Sequence, residues 1–265
     1  MDICTALFSP ESARDPYPLL ARLRSEAPVQ RLDRYGWWAV SRHADVSTVL
    51  KRHDLFSSET GLELLRPPYL DDQTWQELAV LRGHSLINTD PPAHSRLRRL
   101  VSAAFTPRAM TRLEQRVQQI ARALVDDIVA GDAFDVVADL AIPLPVTVIA
   151  EMLGIDPERG ADFKRWSDDL IELGRLTREQ RMTPEQTQLL VQSRRELIDY
   201  LQTTIAARRV QPRDDLLSEL TRVEGEDSGL TALEVLGMAV LLLVAGNETT
   251  TNLITTGTHL LLDHP

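Results

Sequence analysis

The sequence predicts a mainly α-helical protein with one short β-hairpin. Helix-start signals recur along the chain: an Asp-Pro-Pro run at 90–92, a Thr-Pro pair at 106–107 and a Thr-x-x-Glu capping box at 231–234. The strand signals are limited to two short segments, 28–32 and 37–40, separated by a turn. With 265 residues, 43% of them hydrophobic, the chain is long enough to bury a core. A chain of this length suits one large or two small domains, and we expect it to be mainly α.

Composition and charge exclude several classes of function. The chain has 29 lysines and arginines against 39 aspartates and glutamates, a net charge of -10 that disfavours nucleic-acid binding. Its single cysteine, Cys4, allows neither an intrachain disulfide nor a CxxC metal site, and we expect no metal held by side chains. The most apolar stretch, 235–246, is too short to span a bilayer. We expect a soluble, cytoplasmic protein without a membrane partner.

The other helix-start and helix-stop residues predict each helix in turn. Proline, glycine and capping residues place helices at 16–27, 41–52 (capped by Ser41), 90–105 (capped by Asp90), 107–130, 157–173, 184–209, 214–223 and 231–263. A segment at 136–153 contains Pro143 and Pro145, which must kink or split it. Between 56 and 88 the pattern predicts mostly loop, with one turn of helix around 73–81. Loops of that length are usually functional or mobile.

The first candidate site interrupts the last apolar helix. Residues 245–250 read Ala-Gly-Asn-Glu-Thr-Thr, and the glycine alone costs about 1 kcal/mol relative to alanine inside a helix. A glycine allows a flat ligand to approach the backbone, and Glu248 supplies an ionisable group suited to proton transfer. The alternative is a polar notch that packs against a neighbouring helix. Both interpretations remain open at the level of the sequence.

The second candidate site combines His94 and Arg98. Four residues separate them on one predicted helix, so both side chains lie on the same face, where two cationic donors suit a bound carboxylate. A helical metal pair has the same spacing, but arginine is not a metal ligand. Because Arg96 and Arg99 lie on the same helix, the alternative is an ordinary solvated basic face.

These two segments carry a resemblance to a known family. The run LINTDPPAHSRLRRLV at 86–101, continued by AFTPR at 104–108, resembles helix C of bacterial cytochromes P450. The run AGNETT at 245–250 resembles the oxygen-activating motif of helix I in the same family, A/G-G-x-D/E-T-T. The two occur in the family's order, and the helices between them match its helices D to H. The chain is identified as a member of the soluble bacterial cytochrome P450 family. The resemblance implies a single, incomplete P450 domain over residues 1–265 that covers helices A to I.

The resemblance implies a haem-thiolate monooxygenase. Such an enzyme binds haem b, takes two electrons from a ferredoxin-type donor and inserts one oxygen atom of dioxygen into a small lipophilic substrate. His94 and Arg98 would hold the haem propionates, and Ala245 and Gly246 would leave room for dioxygen. Of the catalytic pair, Thr249 would hydrogen-bond the oxygen group at the iron and Glu248 would relay protons to it.

The substrate is expected to meet the loop before helix C and one face of the last helix. Stepping back from Glu248 by helical turns gives an apolar strip that includes Leu241 and Val244. Leu86 and Ile87, just before the helix that carries His94, are further candidates. The alternative for Leu241 and Val244 is an ordinary place in the core.

Two further expectations concern the iron ligand and the electron donor. Family members continue into an ExxR motif and a loop whose cysteine thiolate ligates the iron; this sequence contains no such pair, and Cys4 lies at the wrong end of the fold. We therefore expect the proximal thiolate to be missing and the isolated chain to be inactive. The alternative is an inactive truncated remnant or a helical interaction protein without haem. Between 94 and 116 there are six arginines and one acidic residue, which predicts that Arg96, Arg99, Arg108 and Arg112 dock an acidic ferredoxin-type donor.

Overall fold

The computed structural model describes residues 6–7, 9–32, 36–59, 70–81, 84–105, 107–131, 133–179, 183–223 and 229–264. They form two compact units, Met1–Ser57 and Ser58–Pro265, and each is described by itself. The expected single domain over residues 1–265 stays a prediction.

The first unit contains the hairpin that the sequence predicts. Its elements are α1 (Pro10–Arg14), α2 (Tyr17–Glu26), β1 (Val29–Leu32), β2 (Trp37–Val40) and α3 (His43–Lys51). The two strands pair antiparallel, with Val29 opposite Val40. The prediction that Ser41 caps the following helix is wrong, because the Ser41 hydroxyl donates to the Pro28 carbonyl oxygen at 3.2 Å and closes the hairpin instead. The N-cap of α3 is Arg42, without a side-chain cap.

The regular elements described in the second unit are helices and helical turns. Its elements are α4 (Asp72–Ala79), a 3-10 turn (Leu86–Asn88), α5 (Ala93–Ala104), α6 (Pro107–Ala130), a π-helical turn (Val137–Ala141), α7 (Pro143–Leu153), a 3-10 turn (Pro157–Arg159), α8 (Gly160–Glu179), α9 (Pro184–Val210), α10 (Leu216–Arg222) and α11 (Ala232–Asp263). The predicted class, mainly α with a small hairpin, is confirmed.

Most of the predicted helix boundaries agree with the structure. The segment at 136–153 is split at Ile142, immediately before Pro143, and the capping box at 231–234 is formed in full. The predicted cap at Asp90 is wrong: α5 begins at Ala93, with Pro92 at its N-cap. The Asp90 carboxylate accepts a hydrogen bond from the Ser58 N–H at 3.0 Å, so it is used to hold a preceding segment.

Helix α11 forms the centre of the second unit. It packs against α7, α8, α9, α10, the π-helical turn and the 3-10 turn at 86–88. Its first half is buried, and Val235, Leu236 and Leu243 belong to one apolar cluster with side chains from α5, α7, α8, α9 and α10. Burial of that cluster is the main stabilising contribution to this unit.

By length and composition alone, α11 is apolar enough to cross a membrane. Its most apolar window is 44% buried among the other helices. The core helix of a soluble protein meets the same criterion, so this is weak evidence for a membrane span.

Candidate functional site

One face of α11 carries three of the predicted site residues. Ala245, Glu248 and Thr249 are all exposed, and the exposed positions continue at helical spacing through Asn252 and Leu253. The Thr249 hydroxyl donates to the Ala245 carbonyl oxygen at 2.6 Å. This bond occupies a carbonyl within the helix and fixes the hydroxyl beside the small Ala245 side chain. The face therefore presents a hydroxyl and a carboxylate next to a position with little steric bulk.

The glycine in the motif has a packing reason. A Cβ atom added at Gly246 would lie 2.7 Å from Cδ1 of Ile149, so any larger residue would force α7 and α11 apart. Gly246 thus faces α7, while Ala245 is on the open side. The packing interpretation holds for Gly246, and its role in leaving room for dioxygen stays a prediction.

The structure adds a buried polar link that sequence reasoning missed. Asn247 is only 3% exposed, and its amide nitrogen donates to the Ser167 hydroxyl of α8 at 2.6 Å. One turn later, the Thr251 hydroxyl donates to the Ala141 carbonyl oxygen at 2.9 Å. The unusual Asn in an apolar helix was a signal that a polar partner exists, but no local pattern names a partner 80 residues away. These bonds hold the back of the helix directly behind Glu248 and Thr249.

His94 and Arg98 lie one turn apart on α5. His94 is half-buried and Arg98 is exposed. Across the described ranges, neither side chain forms a hydrogen bond or an ion pair with another residue. Both side chains are therefore available to an anionic ligand.

Arg96, by contrast, is half-buried and forms hydrogen bonds with other residues of the protein. One of its amino groups donates to the Gly229 carbonyl oxygen at 2.9 Å, and the other pairs with the Glu234 carboxylate. The expectation that Arg96 forms part of a free docking surface is corrected, because its charge is matched by a buried carboxylate. Arg99 is exposed, whereas the side chains of Arg108 and Arg112 lie outside the described residues.

The predicted substrate residues lie on elements that touch. The 3-10 turn Leu86–Asn88 packs against both α5 and α11. A Cβ atom at Gly237 would lie 2.5 Å from the His84 carbonyl oxygen, so the missing side chain permits this close approach. Leu241 and Val244 follow Gly237 by four and seven residues and thus share its face of α11.

The exposure of these apolar residues differs. Leu86, Leu241 and Val244 are half-buried, and the first two pack against the apolar cluster. Ile87 is 64% exposed. The structure therefore brings the two segments together on one side of α11, while the substrate roles themselves stay predictions.

Part of the predicted loop between 56 and 88 is tied to α9. Arg195 donates to both carboxylate oxygens of Glu77 in α4, one of them at 2.6 Å, and Arg194 donates to the Glu77 carbonyl oxygen at 3.2 Å. Hydrogen bonding from Arg195 lowers the pKa of the Glu77 carboxyl below its ordinary value. The carboxylate is thus ionised at neutral pH and ties α4 to α9. Residues 60–69, in the same loop, lie outside the described residues.

The donor set defines which ligand the site suits. In the described part of the chain, no three His, Cys, Asp or Glu side chains are grouped to hold a metal ion directly. Two cation-capable side chains on α5 suit a ligand with carboxylates, and the open Ala245 face of α11 suits a flat body. These properties fit a porphyrin that carries two propionates.

Comparison with known proteins identifies the family. No protein-family profile matches the chain. Cytochrome P450 CYP107DY1 from Priestia megaterium is 35% identical, over 97% of this chain and 63% of the relative. Cytochrome P450 monooxygenase PikC from Streptomyces venezuelae is 39% identical, over 96% of this chain and 58% of the relative. The solved structure of cytochrome P450 CYP109Q5 from Chondromyces apiculatus matches with a TM-score of 0.81 and 40% identity, over 100% of this chain and 62% of that protein.

The chain therefore spans about three fifths of the length of the relatives that it matches. The similarity extends over nearly all of this chain, including the positions of both motifs, and the fold matches the solved structure with a TM-score of 0.81. By sequence and by fold, the chain thus matches the corresponding part of cytochromes P450 over nearly its whole length.

Proposed function

We propose that this chain provides the distal half of a haem-thiolate monooxygenase site. The reaction would insert one oxygen atom of dioxygen into a small lipophilic organic substrate, with two electrons from a ferredoxin-type donor, in the cytoplasm. Two observations support it best. Among the described residues, His94 and Arg98 on α5 form no hydrogen bond or ion pair, and α11 carries an exposed Ala-x-x-Glu-Thr face, in a chain similar to cytochromes P450. When bound, haem b supplies the iron at which dioxygen is activated. The only thiol in residues 1–265 is Cys4, so we assign the thiolate ligand of the iron to none of the described residues.

Each residue of the proposed site has a separate task. His94 and Arg98 bind the propionates through charge-assisted hydrogen bonds, which are stronger than neutral ones. Ala245 keeps side-chain bulk away from the haem face, and Gly246 allows α11 to lie close to α7. Glu248 takes up protons from solvent, to which it is exposed, and passes them toward the Thr249 hydroxyl. That hydroxyl already has a fixed acceptor in the Ala245 carbonyl oxygen, so its orientation is set in advance.

Haem retention tests this proposal directly. In the haem-loaded protein that contains this chain, His94→Ala and Arg98→Ala are each expected to speed haem release about tenfold or more, because each removes a hydrogen bond to a charged group worth about 1.5–3 kcal/mol. Transfer of haem to excess apomyoglobin, followed in the Soret region, measures the release rate. Arg99→Ala is the matched control, since Arg99 is an exposed arginine on the same helix. Haem release at the parental rate in both variants would remove the assignment, and a chain that binds no haem would favour the non-catalytic alternative.

Substrate selection is expected to change when either apolar segment is enlarged. Leu86→Phe and Leu241→Phe add bulk to half-buried positions on adjoining elements, so the ranking of lipophilic ligands that shift the haem spectrum should change. Leu189→Phe, at a 71% exposed position on α9, should leave that ranking unchanged. Spectral titration with a panel of ligands of graded size measures the effect. If the ranking of ligands is unaltered in both test variants, Leu86 and Leu241 have a packing role and do not contact the substrate.

Electron-donor docking is expected to depend on salt and on Arg99. Arg99→Glu should slow reduction by an acidic ferredoxin several-fold at low ionic strength, and the difference should shrink as salt rises. Stopped-flow reduction at two salt concentrations measures this. Arg122→Glu makes the same charge change at another exposed position, on α6, and should have the smaller effect. Equal rates for the Arg99→Glu variant and the parent at low salt would exclude docking at this position.

A further inference from the structure

Arg96 lies between the two proposed propionate ligands but on the opposite side of α5. Each residue turns an α-helix by about 100°, so Arg96 is rotated by roughly 200° from both His94 and Arg98. Its guanidinium contacts the Gly229 carbonyl oxygen and the Glu234 carboxylate at the start of α11. The side of α5 that is anchored is therefore opposite to the side that would meet the haem.

The carboxylate that receives Arg96 has a second task. One oxygen of Glu234 accepts the backbone N–H of Thr231 at 2.7 Å, and the Thr231 hydroxyl accepts the N–H of Glu234 at 3.2 Å. This capping box uses one oxygen of Glu234 and leaves the other for Arg96. The Glu234 side chain is only 7% exposed, so its charge requires a partner. A single buried carboxylate thus joins the first turn of α11 to the middle of α5.

The hydrogen bonds of Arg96 to Gly229 and Glu234, here called the Glu234 anchor, give α5 a contact with a preferred direction. Leu97 and Val101 pack the inner face of the helix into the core, but apolar contacts tolerate small rotations because they have no preferred angle. Across the described ranges, Arg96 forms the only side-chain hydrogen bonds between α5 and another element. A planar guanidinium with two separate acceptors restricts rotation about the helix axis.

We propose that Arg96 is a positioning residue for the haem site, acting through the Glu234 anchor. By fixing the rotation of α5, it aims His94 and Arg98 together at the two propionates. This inference rests on the proposed function, since it concerns the same two ligands. It also gives a role to an arginine that is 35% exposed and paired with a buried carboxylate.

The test compares two forms of the cofactor. In the haem-loaded protein, Arg96→Met keeps much of the side-chain length but removes the anchor, and haem release should become about tenfold faster. With haem dimethyl ester, whose propionates carry no charge, the same substitution should change release by less than about twofold. Arg122→Met, at an exposed arginine on α6, is the control and should behave as the parent with both cofactors. Glu234→Gln, which retains an oxygen for the cap, should reproduce most of the Arg96→Met effect.

The outcomes separate this inference from the proposed function. If Arg96→Met releases haem at the parental rate while His94→Ala and Arg98→Ala release it faster, the positioning role is wrong and the proposed function stands. If His94→Ala and Arg98→Ala have no effect, the proposed haem site itself is wrong. Equal acceleration with haem and its dimethyl ester would show general loosening of the fold and overturn the positioning role. Arg96→Lys, which keeps the charge, should recover part of the retention and carries the test if Arg96→Met does not fold.

Discussion

Removing either partner of the buried Arg208–Asp215 ion pair is expected to lower the free energy of unfolding by about 3–5 kcal/mol. Both side chains are only 4% exposed, and Nε of Arg208 lies 2.5 Å from Oδ2 of Asp215. The same guanidinium donates to the Gly154 carbonyl oxygen at 2.7 Å, and Oδ1 of Asp215 accepts the Ser218 N–H at 2.8 Å. The pair thus joins the ends of α7 and α9 to the start of α10. Its loss leaves an unmatched charge in the interior.

Chemical denaturation of the Arg208→Met and Asp215→Ala variants measures this effect. The control is Arg116→Ala, which removes an arginine paired with Glu151 at the surface, where the side chains are 51% and 38% exposed. Solvent screens that pair, so its loss should cost about 1 kcal/mol or less. A change of similar size for Arg208→Met and Arg116→Ala would show that the buried pair contributes nothing beyond a surface one.

Thr249→Ala is expected to separate electron consumption from product formation in the haem-loaded enzyme. The variant should bind substrate as the parent does but divert reducing equivalents to hydrogen peroxide, because it lacks the hydroxyl that we propose delivers protons. Glu248→Gln should slow turnover by about 10²-fold, within the range that a general acid or base contributes. The measurements are the ratio of product to electrons consumed, the peroxide yield and the turnover rate.

The control for this experiment is available on the same helix. The Thr258 hydroxyl donates to the Ile254 carbonyl oxygen at 2.8 Å. Thr249 forms the same type of hydrogen bond, since its hydroxyl also donates to the carbonyl oxygen four residues earlier. Thr258→Ala removes an equivalent bond away from the motif and should leave the product ratio unchanged. If the Thr249→Ala variant forms as much product per electron consumed as the parent, proton delivery is assigned to Thr250 or to a hydroxyl of the substrate instead.

The helical architecture was predictable because its signals are local. Each signal acts on backbone within four residues of its own position. Examples are the capping box at 231–234, Pro107 at the start of α6 and the prolines that split 136–153. Two predicted caps failed for a common reason. Ser41 and Asp90 have the right side chains, but each forms a hydrogen bond with a more distant segment.

The sequence by itself determined which of the proposed site residues share a helical face. Spacing of three and four residues places Glu248 and Thr249 with Ala245, and His94 with Arg98, before any tertiary contact is known. Spacing says nothing about which side of a helix the neighbouring elements cover.

Only the tertiary structure decided how those faces are oriented. It directs Gly246 toward Ile149, ties Asn247 to Ser167 and turns Arg96 inward to Glu234. The partners of the two polar links are far apart in the chain: Asn247 and Ser167 are separated by 80 residues, and Arg96 and Glu234 by 138. Such contacts depend on how the helices pack around α11, and close packing of that kind is a property of the whole core that no local pattern encodes.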